Sequence, residues 1–242
     1  MPHRRSADEV HYLERHETAA NAVGGRTLRD LGDCLFLYTE DEREPFGNRV
    51  GALRWPSAPA AFDARLAEIL ALFAVHERRP HVWTAPDHRE PSDVEARLAA
   101  NGFTARTGAY VMVADREPPA SVPGPEVTVE RWGGGPEAPL PATLLREVAA
   151  LKRRSFDGHP AGIEELAART ARVLATPGCT LVLVREEGRP VAVGQGFTFD
   201  GATYLASIGT DPAATGRGHG TLVTSTLIRD ARAAGSVPIE AR

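Results

Sequence analysis

Cysteine is nearly absent from this sequence of 242 residues: only Cys34 and Cys179 occur, far apart and outside any metal-binding spacing. That excludes a disulfide scaffold and fits a reduced, cytoplasmic compartment in which both thiols serve as small core residues. Long apolar runs are missing as well. A membrane helix needs roughly 18 uninterrupted apolar residues, and the best stretch here, 66–75, is broken by Glu68 and reads as an amphipathic core helix. The early arginines are followed by Asp8, Glu9 and Glu14 rather than an apolar run, so no signal peptide and no export are expected. Nor is there an excess of charge of one sign. Lys+Arg 28 against Asp+Glu 32 leaves a net charge of -4, whereas a dedicated nucleic-acid binder carries a basic surplus. Lysine is the scarcest charged residue: Lys152 stands alone among arginines, a compositional bias to which the sequence attaches no chemistry.

What is present suffices for a core. With 42% hydrophobic and 25% charged residues the chain is an ordinary globular one, neither disordered nor collagen-like, and its length suits one to two domains. The clearest boundary is Glu117-Pro-Pro-Ala-Ser-Val-Pro-Gly-Pro125, which cannot sustain a helix or a central strand. It divides the chain into residues 1–116, a linker at 117–125, and residues 126–242.

In the first part, Ser6-Ala-Asp-Glu9 has the form of a capping box opening a helix toward Val23. Strands are expected at 34–39, 49–55, 81–84 and 105–114, with helices at 61–76 and 92–100; Asn101-Gly102 is a helix stop. In the second part the order is strand 127–131, helices 143–156 and 163–175, then strands 180–186, 190–199 and 202–210. Two-residue turns, Glu187-Gly188 and Asp200-Gly201, join these three strands. A glycine-rich loop, a helix over 218–234 and a strand near Val237 follow. Consecutive hairpins beside a strand–helix–strand unit predict an α/β protein with a mixed sheet.

The chemistry lies between that last hairpin and the helix. After Asp211-Pro212 comes Thr215-Gly-Arg-Gly-His-Gly-Thr221, which runs directly into an amphipathic helix with Leu222, Val223, Leu227 and Ala231 on one face. A strand, a tight glycine loop and a helix start make an anion site, because free N–H groups and the helix dipole converge there. Gly216, Gly218 and Gly220 let the backbone approach closely, and Arg217 and the Thr221 hydroxyl supply further donors. A Walker loop is excluded because no glycine precedes the required lysine. The dinucleotide fingerprint fails because its third glycine position falls on Thr221.

Thr215-Gly216-Arg217-Gly218-His219-Gly220 resembles the [QR]xxGx[GA] signature of the GNAT superfamily of N-acetyltransferases, with both small positions matched and the first replaced by Thr. The surrounding order of two helices, three antiparallel strands, loop and helix is similar to that family across 127–242. The resemblance implies a GNAT-like acyl-CoA N-acyltransferase fold with acetyl-CoA as cosubstrate and no metal. Its pyrophosphate would sit on the loop amides of Thr215, Gly216, Arg217, Gly218, His219, Gly220 and Thr221. Its pantetheine arm would pair with Ile208, Gly209 and Thr210 of the fourth strand, with Gly209 as the expected bulge. The first part looks like a degenerate copy: Phe46-Gly-Asn-Arg-Val-Gly-Ala-Leu53, His81-Val-Trp-Thr-Ala-Pro86 and Leu98-Ala-Ala-Asn-Gly-Phe103 resemble the inactive N-terminal halves of tandem members. Only Pro56 and Pro59 follow Leu53 where a phosphate loop would stand, so this half is not expected to bind CoA.

No catalytic residue is assigned. The carboxylate that family members commonly carry on the fourth strand has no counterpart between Tyr204 and Thr210, and the chain is expected to lack the helix that supplies their acidic Tyr and the usual C-terminal strands. Residues 81–114 have the strand–helix–strand order needed to fill that gap, which would bring Tyr110 toward the thioester. The plainer expectation is that each half keeps its own incomplete sheet.

Other polar residues have ordinary readings. The His219 side chain is expected to be exposed, His159 to sit in a turn, and Lys152-Arg-Arg154 to form a solvated helix face. His11 and His16 lack the spacing of a helical metal pair. Glu164 and Glu165 suit a helix start, and Trp55, Trp83 and Trp132 suit core or edge packing. The implied activity is acetyl transfer to a primary amine of a small molecule or peptide, with no nucleic-acid or membrane partner and with a homodimer left open. Rival readings are a non-catalytic acyl-CoA binder and a structural dimer subunit with a vestigial loop.

Overall fold

The computed structural model describes residues 6–40, 43–85, 90–106, 111–114, 116–118, 123–133, 135, 140–156 and 161–241. The chain divides into two compact units, Met1–Gly108 and Ala109–Arg242.

The first unit opens with helix α1 (Ala7–Ala20), and its capping box is formed. Ser6 Oγ accepts from the Glu9 amide at 3.2 Å, and the Glu9 carboxylate accepts from the Ser6 amide at 2.7 Å. Strands β1 (Thr27–Asp30), β2 (Leu35–Tyr38) and β3 (Arg49–Gly51) form an antiparallel sheet in that order. β1 escaped the sequence reading because Thr-Leu-Arg-Asp lacks an apolar alternation and is mostly exposed. Helices α2 (Pro59–Val75) and α3 (Val94–Ala100) follow. The strand expected at 81–84 is reduced to one parallel bridge, Val50 to Val82.

Phe36, Val50, Trp55, Phe62, Leu66, Ile69, Phe73, Val94 and Leu98 build the core with Cys34 among them. Beside it lies a buried ion pair: Arg49 Nη2 donates to Glu17 Oε2 at 2.6 Å, with Arg49 0% exposed. The Arg49 guanidinium also lies 3.7 Å from the centroid of the Trp83 ring, a cation–π contact that offsets part of its desolvation.

The second unit is a six-stranded mixed sheet. Its elements are β4 (Val111–Val113), β5 (Val127–Gly133), α4 (Ala142–Ser155), α5 (Ile163–Leu174), β6 (Cys179–Glu186), β7 (Arg189–Phe199), β8 (Ala202–Thr210), α6 (His219–Ala233) and β9 (Val237–Ala241). The strand order is β4-β9-β8-β7-β6-β5, antiparallel except for β8 with β9. α6 covers one face through Leu222, Val223 and Leu227. On the other face Leu144, Val148 and Leu151 of α4 pack against Leu181, Leu183 and Val193.

The strand at 111–113 overturns one expectation. It lies on the N-terminal side of the proline-rich linker, yet it pairs antiparallel with β9, Val111 opposite Ala241 and Val113 opposite Ile239. The second sheet is therefore completed by chain from before the linker and does not keep an incomplete edge of its own. The physical reason is that β9 would otherwise present a row of unpaired N–H and C=O groups, and β4 satisfies them. The unit boundary accordingly falls ahead of residues 117–125. Tyr110 lies outside the described residues.

Candidate acyl-CoA site

β8 carries a register irregularity opposite Gly194: Gln195 pairs with Ala206 and Val193 with Gly209, so two residues of β8 face one of β7. The residue in the unusual conformation is Ser207, at φ 52°. The bulge thus falls at Ser207 and Ile208, and Gly209, expected to form it, is in regular register. Gly209 answers to a different demand. A Cβ there would lie 2.7 Å from Ser155 Cβ and 3.1 Å from the Phe156 ring, so the end of α4 presses directly on this strand.

Past the bulge β8 has one partner. Its pairing with β9 runs only from Ala202–Val237 to Leu205–Glu240, so among the described residues Ala206, Gly209 and Thr210 pair with β7 alone, with Ser207 and Ile208 in the bulge between them. An open edge of this kind is where an extended ligand adds by backbone hydrogen bonds.

The chain leaves β8 at Asp211, a residue only 3% exposed. Asp211 Oδ1 accepts from the Ala213 amide at 3.0 Å, while Oδ2 accepts from Arg154 Nε at 2.9 Å and Arg189 Nη2 at 3.2 Å. Burial favours the neutral acid, but the Ala213 amide and these two guanidiniums outweigh it and hold the carboxyl below its ordinary range. Asp211 so ties the mouth of the loop to α4.

The loop itself has the form expected. Gly216 at φ 78° and Gly218 at φ 82° take left-handed conformations that disfavour any Cβ, and nothing lies within 4 Å of where one would stand. Gly218 is the N-cap of α6, without a side-chain cap, and its carbonyl accepts the first helical bond from Leu222. Among the described residues no acceptor takes the amides of Thr215, Gly216, Arg217, Gly218, His219, Gly220 or Thr221. Gly220 is needed for contact, since a Cβ would stand 3.0 Å from Thr210 Oγ1.

Two side chains of the loop depart from the reading. Arg217 Nη1 donates to Glu186 Oε2 at 2.5 Å, so its charge is engaged by the end of β6. His219 is 4% exposed rather than solvated, because it forms the first turn of α6, and its Nε2 stands 3.6 Å from Glu186 Oε1. The Thr215 hydroxyl donates to the Pro212 carbonyl at 3.0 Å. The amides, not the side chains, are what the loop leaves free.

A further polar group lies under α4. Lys152, expected on a solvated face, is 8% exposed, and its Nζ donates to Gln195 Oε1 at 2.8 Å. Burial alone pushes its ammonium down to about 8. Gln195 Nε2 and Ser155 Oγ are buried without a hydrogen-bond partner among the described residues. The signal was in the periodicity: Leu144, Val148, Leu151 and Lys152 share the buried stripe of the helix, and the flanking arginines masked it. His159 lies outside the described residues. The two cysteines are buried, which pushes both thiols up to about 11. Among the described residues no group of three or more His, Cys, Asp or Glu could hold a metal ion, and no helix is long and apolar enough to cross a membrane.

Residues 119–238 match the family model of the acetyltransferase (GNAT) domain. Solved structures share the fold of this chain. A GCN5-related N-acetyltransferase from Kribbella flavida is 18% identical with a TM-score of 0.69, covering 98% of this chain and 85% of its own. A functionally unknown conserved protein from Staphylococcus epidermidis is 8% identical, TM-score 0.61, covering 90% and 84%. A GCN5-related N-acetyltransferase from Sphaerobacter thermophilus is 14% identical, TM-score 0.56, covering 88% and 73%. No curated protein matches the chain significantly. Within the matched residues, the glycine loop at 215–220 joins the bulged strand β8 to α6.

Proposed function

We propose that the protein is an N-acetyltransferase that moves the acetyl group of acetyl-CoA to a primary amine of a small molecule or peptide, in the cytoplasm. The observation that carries this reading is the run of unpaired amides from Thr215 to Thr221, opening α6 beside the open edge of β8. A diphosphate would accept from those amides and sit in the field of the helix dipole. The pantetheine would extend along 206–210, bringing the thioester to the bulge. There the backbone N–H groups that β8 turns away from β7 would stabilise the oxyanion of the addition step.

The first unit reads as a degenerate copy. Its antiparallel β1-β2-β3, helix α2 and parallel bridge Val50–Val82 repeat the order of β6-β7-β8, α6 and β9. In place of a glycine loop, Pro59 opens α2 without a side-chain cap, so acetyl-CoA is assigned to the second unit alone. A second reading, a non-catalytic acyl-CoA sensor, is favoured by the absence of a carboxylate on β8. Calorimetry with acetyl-CoA tests the binding, with one site per chain expected and no heat overturning both readings. Thiol release with a panel of primary amines separates the two: turnover supports the enzyme, and binding without turnover supports the sensor.

A further inference from the structure

Lys152 is the only lysine of the chain and sits where the proposed reaction takes place. Its Nζ is held by Gln195, and Gln195 pairs across the sheet with Ala206. Ala206 is the residue at which β8 loses β9 as a partner and enters the bulge. Neighbouring strands lie about 4.8 Å apart, so Gln195 stands one strand's width from Ala206, with β8 between it and the open edge along which the pantetheine would extend. The lysine stands on the face where the end of α4 touches Gly209.

The surroundings are unusual for a structural lysine. Among the described residues no carboxylate pairs with it, and its hydrogen bond goes to a neutral amide. Gln195 Nε2, and Ser155 Oγ on the same helix end that touches Gly209, are buried without a hydrogen-bond partner among the described residues. A fold gains nothing from burying a lone cation beside unsatisfied polar atoms; a site prepared for a polar group that arrives later does.

We propose that Lys152 is the proton-transfer group of the acetyltransferase, occupying the role for which β8 offers no carboxylate. This rests on the acetyl-CoA reading given above. The acceptor amine, having released its first proton to water, attacks the thioester carbonyl; the N–C bond forms and the π pair moves to oxygen. The neutral amine of Lys152 takes a proton from the nitrogen, now positively charged, directly or through one water. As the C=O bond re-forms and the C–S bond breaks, the Lys152 ammonium gives that proton to the departing thiolate. The products are an amide and free CoA, the lysine returns to its starting form, and nothing is oxidised or reduced.

Turnover therefore requires neutral Lys152 and rises with pH as that amine loses its proton. Among the described residues the ionisable groups facing the same side of the sheet are few. They are Cys179 of β6, Tyr204 of β8, and the set in which Arg185 bonds Glu130 of β5 and Glu147 of α4. β7 contributes Arg189, which bonds Asp211, and the buried face of α5 (Leu166, Ala167, Thr170, Val173, Leu174) contributes none. Arg154 of α4 is engaged by Asp211.

A single lysine makes the test direct. Protein grown on 15N-lysine gives one side-chain Nζ resonance, followed against pH with and without saturating acetyl-CoA, alongside calorimetry and thiol release by wild type, Lys152→Arg and Lys152→Met. Arginine keeps the charge but cannot release its proton in this range, which separates proton transfer from electrostatic support. The expected result is a titration midpoint that moves on acetyl-CoA binding and a fall in kcat of about 100-fold or more in both variants, with acetyl-CoA affinity within about threefold. Should acetyl-CoA bind while the Nζ midpoint stays put, or should Lys152→Arg turn over at the wild-type rate, the proposal is overturned and the acetyl-CoA reading stands. No heat from wild type with acetyl-CoA overturns both.

Discussion

Lys152 and Glu14 contribute to the pH dependence of this fold in opposite directions. Lys152 gives up its proton near pH 8 when folded, against 10.5 for a free side chain, so the unfolded chain binds more protons between those values and stability rises with pH there. At about 1.4 kcal/mol per unit the full effect is about 3 kcal/mol. Lys152→Met should erase that rise: thermal melts from pH 7 to 10.5 would show wild type gaining stability relative to the variant. Glu14 of α1 has its carboxyl pushed up to about 7, first by burial and then by the nearby Glu17 charge, with Arg54 opposing. A raised carboxyl pKa stabilises the fold below about 4.5, and that contribution is lost as pH climbs through about 7. Glu14→Gln is expected to flatten the melting-temperature profile between pH 4.5 and 7, and an unchanged slope would count against this assignment.

At the level of elements, the candidate site is a junction: the bulged end of β8, the turn held by Asp211, and the first turn of α6. Its geometry needs the helix to start close against the strand, which Gly220 permits at 3.0 Å from Thr210 Oγ1 for any added Cβ. Gly220→Val should push the helix start away from β8, spread the loop amides and weaken acetyl-CoA binding at least tenfold by calorimetry. The α6 core contacts of Leu222, Val223 and Leu227 should keep the fold intact. Gly218→Ala places a Cβ at φ 82° in open space, costing about 1–2 kcal/mol of local strain with a smaller loss of affinity. If Gly220→Val binds like wild type, the amides are not the phosphate site.

For the whole molecule the decisive contact is between β4 and β9. The Ala114 amide donates to the Pro238 carbonyl at 3.1 Å, and Arg232 clamps the same segment by donating to the Ala114 carbonyl at 2.8 Å and pairing with Glu117. Ala114→Pro removes the donor at this edge. Hydrogen exchange should then show the β9 amides losing protection and the second unit melting several degrees lower, while the α1–β1–β2 amides of the first unit are unaffected. Equal loss in both units would contradict the division of the chain at 108.

Much of this was written in local sequence, because the signals are short-range. The capping box of Ser6 and Glu9, the two-residue turns at Glu187-Gly188 and Asp200-Gly201, and the glycines at 216, 218 and 220 each act within a few residues. They fixed the elements from β5 to α6 nearly to the residue and located the glycine loop between β8 and α6. Tertiary structure decided what depends on residues far apart. It paired Val111–Val113 with β9 across the proline-rich linker, and it set the bulge at Ser207 by register against Gly194. It turned the single lysine inward onto Gln195, 43 positions further on. A lysine's charge is a local property, but the free energy of that charge is set by what surrounds it, and only the folded chain supplies the surroundings.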